Sequence, residues 1–273
     1  MLGKLIKYEF IATARLLIPV YIAAIIFAVL TRLFTTPNFN IIYPNGSYQD
    51  NFFPELLYGL FIFFNVVFII AIMVISFVII LQRFYTSLFK DEGYLTHTLP
   101  VSTDTLIWGK LIPAACWAIA SFMVMSISIM ITTSFLWWDT INFTYAMQTI
   151  FTAIQIAVQE ESFFIILLLP LYSIVGLLVG ILGFYSAMSI GQLVNQYKIL
   201  AAVGAYFFMS FLFSIFTGII QSIAFYTIDS EFYFGQYGLT LFGASITLGI
   251  LLFQGIIHYF IIRYILKNKL NLE

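Results

Sequence analysis

Charged residues are scarce in this chain, because Asp, Glu, Lys and Arg together make up 8% of its 273 residues. A soluble domain carries roughly 25% charged residues, so this chain has too few to cover a surface that faces water. In their place it has 62% hydrophobic and 19% aromatic residues, with a mean hydropathy of +1.05. The composition excludes an ordinary soluble protein and predicts an all-α polytopic membrane protein.

Cysteine pairs and nucleotide-binding motifs are also missing. Cys116 is the single cysteine, which excludes a disulfide within the chain, and its apolar neighbours predict an inert buried thiol. No G-x-x-x-x-G-K-[ST] motif is present, since Gly109-Lys110 is followed by Leu111. We therefore expect this chain to be no enzyme and to bind no nucleotide itself. The net charge of −1 gives no indication of a nucleic-acid partner.

Six apolar runs reach the roughly 20 residues that a transmembrane helix needs. No charged residue lies at the centre of a run, which disfavours ion-coupled transport, because proton and ion relays usually place ionisable side chains inside the membrane. We expect a single transmembrane domain over residues 1–273. The predicted spans are residues 16–34, 56–81, 111–136, 163–187, 199–228 and 239–262.

The basic residues predict the orientation of these spans. With the N-terminus inside the cell, Arg32 is external and the other ten of the 11 Lys and Arg residues are cytosolic. Cytosolic loops are enriched in Lys and Arg, so both chain termini are predicted in the cytoplasm. A seventh span over residues 143–158 would place the C-terminal basic cluster outside. That region is short and has a polar stripe at helical spacing, so we predict an external amphipathic helix there.

The same orientation excludes a metal site. Glu160-Glu161 resembles the start of the glutamate pair in intramembrane metal-dependent proteases. The two histidines, His97 and His258, are predicted on the cytosolic side, across an apolar layer of about 30 Å. Ligands must lie within about 2 Å of one metal ion, so we expect these residues to bind none.

Residues 1–15 are predicted to form an amphipathic helix at the inner membrane surface, with basic residues on its polar face. Glu9 breaks the pattern because it falls within the apolar arc. Two interpretations are open. The carboxylate either reaches water at the edge of the helix or is buried and paired with a basic group of the bundle or of a partner.

A row of glycines lies on one face of the fourth span, at Gly176, Gly180 and Gly183. Such spacing lets another helix approach closely, within a subunit or between subunits. The alternative is that glycine is simply common in membrane helices.

The longest polar connection between two spans covers residues 83–110. Residues 84–89 are predicted to continue the second span, and Pro100 to end a short helix that follows. Ser102 or Thr103 can cap the third span, with Asp104 in its first turn. Helix connections usually take 2–8 residues, so this one is oversized for a simple turn. We predict that it docks a partner; an elaborate but autonomous turn is the alternative.

The predicted docking surface has acidic residues at its start and apolar residues that need covering. Tyr94 and Leu95 are its expected anchors. Its members are Lys90, Asp91, Glu92, Tyr94, Leu95, Thr96, His97, Thr98 and Leu99.

This block is similar to the membrane subunits of type-2 ATP-binding-cassette (ABC) exporters, especially the single-permease proteins of Gram-positive bacteria. The matching pieces are F-x-x-x-L-F-K-D-E-G-Y-L-T-H-T-L-P-V-S from Phe84 to Ser102 and L-x-x-G-K from Leu106 to Lys110. A weaker match is K-x-x-K-Y-E-F from Lys4 to Phe10. The layout of interfacial helix, six spans and long first cytosolic loop also agrees.

The resemblance implies a coupling helix around residues 90–99 that docks on a separate ATPase subunit, which binds the ATP and Mg²⁺. It also implies a dimer of two identical or two different permeases in a bacterial cell membrane, surrounded by lipid. The charge-free interior favours a hydrophobic or amphipathic cargo, and similar permeases export antimicrobial or toxin peptides. A membrane-anchored sensor or assembly factor, or an exporter of drugs or lipids, remains an alternative.

Overall fold

The computed structural model describes residues 2–35, 52–90, 93, 98, 100–137, 148–149, 151–152, 155, 163–227 and 235–269. All regular structure in these ranges is helical, and none of it is a strand. The long helices are α1 (Leu2–Thr35), α2 (Phe52–Phe89), α3 (Thr103–Trp137), α4 (Phe163–Gly191), α5 (Lys198–Thr227) and α6 (Gly235–Asn268).

Each of the six helices is long and apolar enough to cross a membrane. They correspond in order to the six predicted spans, so the all-α, six-helix prediction is confirmed for the described residues. Because a helix satisfies its own backbone hydrogen bonds, six such helices are typical of a multi-pass membrane protein.

Helix α1 is continuous from Leu2 to Thr35, where the sequence predicted an interfacial helix followed by a separate span. At 34 residues it is about 51 Å long. No glycine lies between residues 4 and 35, and Pro19 is accommodated inside the helix. With no helix-breaking turn at the predicted junction after Arg15, the two segments join into one rod.

The ends of α2 and α3 that flank residues 90–102 agree with the sequence. Helix α2 runs on to Phe89, as predicted. At the start of α3, the Ser102 Oγ atom accepts a hydrogen bond from the Thr105 backbone N–H at 3.3 Å, and Asp104 lies in the first turn. The hydroxyl satisfies one of the backbone donors that a helix start leaves without partners, so the predicted cap is confirmed.

The chain divides into two compact units, and the division falls inside helices α1, α2 and α3. We call Ile6–Arg83 with Cys116–Met147 the N-terminal unit. Met1–Leu5, Phe84–Ala115 and Gln148–Glu273 form the C-terminal unit.

The core of the N-terminal unit lies where α1, α2 and α3 meet. Leu17 and Ile72 are fully buried there, and Trp117 packs against the same cluster. Polar contacts also cross this core, and in the shortest of them the hydroxyls of Tyr21 and Ser121 are 2.6 Å apart. Buried hydroxyls need hydrogen-bond partners, and these two satisfy each other.

In the C-terminal unit, α4 packs against both α5 and α6. The approach of α4 and α6 is close at Gly255, where an added Cβ would lie 3.0 Å from Val179 Cγ2. Most of the side chains of α5 are exposed, including Phe207, Phe208 and Phe211. Apolar exposure on this scale suits lipid contact rather than water.

The thiol of Cys116 is exposed, so the predicted buried thiol is wrong. An apolar run in a soluble protein implies burial, because such residues avoid water. In a membrane helix lipid covers the apolar side chains as well as protein does, so the same run carries no information on which face is buried.

Candidate functional site

The first part of the 83–110 segment is anchored in the C-terminal unit. Phe84 is 1% exposed and Leu88 is fully buried. The ring of Phe84 stacks on that of Tyr185 in α4, with centroids 3.7 Å apart and planes at 6°. Tyr185 is also 1% exposed. Aromatic side chains contribute large buried areas to packing, so this end of the segment is fixed to α4.

The last part of the segment is anchored to α6. Asp104 Oδ1 accepts a hydrogen bond from the Tyr259 hydroxyl at 2.5 Å and lies 3.1 Å from Arg263 Nε. The rings of Trp108 and Tyr259 lie 6.3 Å apart. Residues four apart share one face of a helix. Asp104 and Trp108 therefore present one face of α3 to the α6 face that carries Tyr259 and Arg263.

Within residues 90–99, between these anchors, three residues are described. Lys90 is exposed, and its Nζ lies 5.7 Å from the centre of the Tyr85 ring, within cation–π range. Gly93 is buried and donates its N–H to the Lys90 carbonyl oxygen at 2.7 Å. Thr98 is exposed. The other members of the predicted docking surface lie outside the described residues: Asp91, Glu92, Tyr94, Leu95, Thr96, His97 and Leu99.

Glu9 lies beside a basic residue within the N-terminal unit. Its Oε1 atom is 3.2 Å from Arg83 Nη2. The Glu9 side chain is 13% exposed and that of Arg83 is 25% exposed. Since α2 supplies Arg83 and α1 supplies Glu9, the pair joins the first helix to the end of the second. Of the two interpretations open from the sequence, the paired carboxylate has this geometry.

The glycines of α4 border a cavity, and one of them also lies at a contact with another helix. Gly176 and Gly180 have no atom within 4 Å of an added Cβ, whereas a Cβ on Gly183 would lie 3.6 Å from His258 Nε2. These glycines border a cavity of about 160 Å³, whose other walls come from α5 and α6. Its lining residues are Gly176, Val179, Gly180, Gly183, Tyr206, Met209, Ser210, Leu251, Gln254 and His258.

His258 is the most buried ionisable group beside this cavity, at 2% exposure, and it is held by Ser186. Ser186 Oγ donates to the Gly183 carbonyl oxygen at 2.9 Å and lies 2.8 Å from His258 Nδ1. With its proton used in that way, the hydroxyl accepts from Nδ1–H. The other ring nitrogen, Nε2, then accepts from the Gln254 amide at 3.4 Å.

Sequence reasoning did not find this hydrogen-bonded group. It weighed His258 only as a metal ligand, and Ser186 lies 72 residues away in the chain. The available signal was Gln254 one turn before His258 in an apolar run, which marks a polar face inside a membrane helix. The hydrogen bond between Ser186 and His258 joins α4 to α6, and the polar side chains of Gln254 and His258 form one edge of the cavity.

The described part of the chain contains no cluster of metal-ligating side chains. No set of three or more His, Cys, Asp and Glu side chains there could hold a metal ion. The prediction that Glu160, Glu161 and His97 bind no metal ion concerns residues outside the described ranges.

Comparisons of this chain with protein-family models, curated proteins and solved structures found no match. The fold itself defines the class as a multi-pass helical membrane protein.

Proposed function

We propose that this chain is the permease subunit of an ATP-driven ABC exporter. In this proposal a separate ATPase docks on residues 83–110 and binds ATP and Mg²⁺, while a dimer of permeases moves a hydrophobic or amphipathic cargo out of the cell. The cargo class that we favour is a peptide, such as an antimicrobial or toxin peptide. The sequence resemblance over Phe84–Ser102 is the origin of the proposal.

The observation that carries the proposal is the anchoring of the 83–110 segment at both ends. Phe84 is stacked on α4, and Asp104 is bonded to α6. A loose connection would transmit no displacement to the helices. A segment fixed at both ends by such contacts can pass a load from a docked protein to the helices that it touches.

The orientation and the surroundings of the chain belong to the same proposal. In the proposal, both termini and the 83–110 segment face the cytoplasm of a bacterial cell, and the distribution of Lys and Arg supports that orientation. The exposed apolar face of α5 is then available to lipid or to a second permease copy.

The experiment that tests the proposal compares one substitution in two loops. Leu95→Asp places a charge on an expected docking anchor. Leu193→Asp makes the same change at an exposed leucine in the turn between α4 and α5. Each variant is purified with its ATPase and reconstituted, and ATP-dependent movement of a labelled amphipathic peptide is measured.

We expect Leu95→Asp to lose ATP-dependent movement of the peptide while the chain still inserts in the membrane, and Leu193→Asp to keep it. Equal transport by the two variants would contradict docking at this segment. Cargo movement that is independent of ATP, or the absence of an ATPase, would favour the sensor or assembly-factor alternative.

A further inference from the structure

The division between the two units places the 83–110 segment almost entirely in the C-terminal unit. It cuts α2 after Arg83 and α3 after Ala115. The second cut lies two residues after Pro113, which sits inside α3. Proline removes a backbone hydrogen bond within a helix and is a common point of bending. The boundary of the C-terminal unit in α3 therefore lies next to a proline.

One small group of side chains fixes the start of α3 to α6. Tyr259 and Arg263, one turn apart, both contact the single carboxylate oxygen Oδ1 of Asp104. Trp108, one turn after Asp104, lies against the Tyr259 ring. Two turns of α3 are thus matched to two turns of α6. We call Asp104, Tyr259 and Arg263 the α3–α6 clamp.

The clamp is too exposed to hold the fold together. The side chains of Arg263 and Asp104 are 44% and 36% exposed, and exposed ion pairs contribute little to stability. Buried apolar contacts of the same region, such as Leu106, Ile107 and Leu111, do that instead. A contact that is specific in geometry but weak in stability suits the transmission of a displacement.

We propose that Asp104, Tyr259 and Arg263 are positioning residues that fasten the 83–110 segment to α6, so that a displacement of the segment is delivered to α4, α5 and α6. This inference rests on the proposed function for the source of the displacement, a docked ATPase. The fastening itself is a property of the chain alone and is testable without any partner.

The first test is hydrogen–deuterium exchange of the purified intact chain. Asp104→Ala removes both contacts of the clamp, and Arg263→Gln removes its ion pair. The double change Asp104→Arg with Arg263→Asp restores an ion pair of reversed polarity. Ser102→Ala is the matched control, because it removes the α3 cap without touching α6.

We expect both single changes to speed exchange several-fold in two places, at residues 103–110 and in α6 around residues 259–266. The reversed pair should recover most of the protection. Ser102→Ala should affect residues 103–110 only. Unchanged exchange in α6 in both single variants, or no recovery in the reversed pair, would overturn the clamp whatever the chain transports.

The second test is the amount of cargo moved per ATP hydrolysed by the reconstituted complex. Breaking the clamp should lower this ratio several-fold with ATP hydrolysis retained, and the reversed pair should restore it. A merely structural contact would lower transport and hydrolysis together, which would overturn the positioning role. If no ATPase acts on the wild-type chain, the proposed function fails, and the exchange experiment alone decides the clamp.

Discussion

Replacing Ser186 by alanine should show how much a hydrogen bond between two helices contributes to stability, apart from the effect of burying a hydroxyl. Ser186 is fully buried in α4 and lies 2.8 Å from His258 Nδ1 in α6. Ser189, one turn further along, is equally buried, but its hydroxyl donates only to the Tyr185 carbonyl of its own helix. Ser189→Ala is therefore a matched control.

The expected difference follows from what each change leaves behind. Ser186→Ala leaves His258 Nδ1–H without its acceptor, whereas Ser189→Ala leaves a carbonyl that the helix backbone still bonds. Hydrogen bonds between membrane helices contribute about 0.6 kcal/mol on average and at most about 1.7 kcal/mol. Ser186→Ala should therefore lower the free energy of unfolding by about 0.6–1.7 kcal/mol more than Ser189→Ala, which is roughly three- to twentyfold in the equilibrium constant.

The assay is equilibrium unfolding of the purified chain in mixed micelles, titrated with a denaturing detergent and followed by tryptophan fluorescence. Adding His258→Leu to each variant completes a double-mutant cycle. In the His258→Leu background the extra cost of Ser186→Ala should vanish. Two serine variants of equal stability in the wild-type background would refute the hydrogen bond as a tie between α4 and α6.

Two further substitutions test contacts elsewhere in the fold. Glu9→Gln should lower stability by about 0.5–1 kcal/mol through loss of its ion pair with Arg83, while Lys4→Gln should have little effect; equal unfolding midpoints would return Glu9 to the water-facing interpretation. Gly191→Ala should cost about 1–3 kcal/mol, because its Cβ would lie 2.6 Å from the carbonyl oxygen of the first residue of α5. Gly180→Ala, which meets nothing within 4 Å, should be neutral or stabilising by up to about 1 kcal/mol, and a Gly191→Ala chain as stable as this control would show that the turn accepts a side chain.

The helices could be predicted from sequence because their signals are local. Apolar runs of sufficient length located all six helices, and Ser102 with Asp104 marked the start of α3. Residues 84–89 continued α2 as predicted, since no glycine or proline interrupts them. The continuity of α1 was missed, because amphipathic and apolar patterns differ in composition without any break in the backbone between them.

The faces of the helices could not be predicted, because lipid and protein cover apolar side chains equally well. The exposed thiol of Cys116 is one result of this ambiguity. The contacts that matter for the site join residues far apart in the chain. Asp104 meets Tyr259 across 155 positions, and Ser186 meets His258 across 72. No periodicity within one helix encodes such a pairing.

The glycines of α4 show how much a sequence pattern can predict. Their spacing indicated one face, and Gly183 does lie against His258 in α6. At Gly176 and Gly180 the same face borders the cavity. A missing side chain permits either outcome, and the neighbouring helices decide between a close approach and an open space.

The central claim is that a separate ATPase drives this chain through the 83–110 segment. Its most direct test is ATP hydrolysis in material captured on the intact, tagged chain from its own membranes. We predict hydrolysis that co-elutes with wild type and with Leu193→Asp and is lost with Leu95→Asp. Hydrolysis no higher than in a capture without the chain, or equal in all three captures, would contradict the claim.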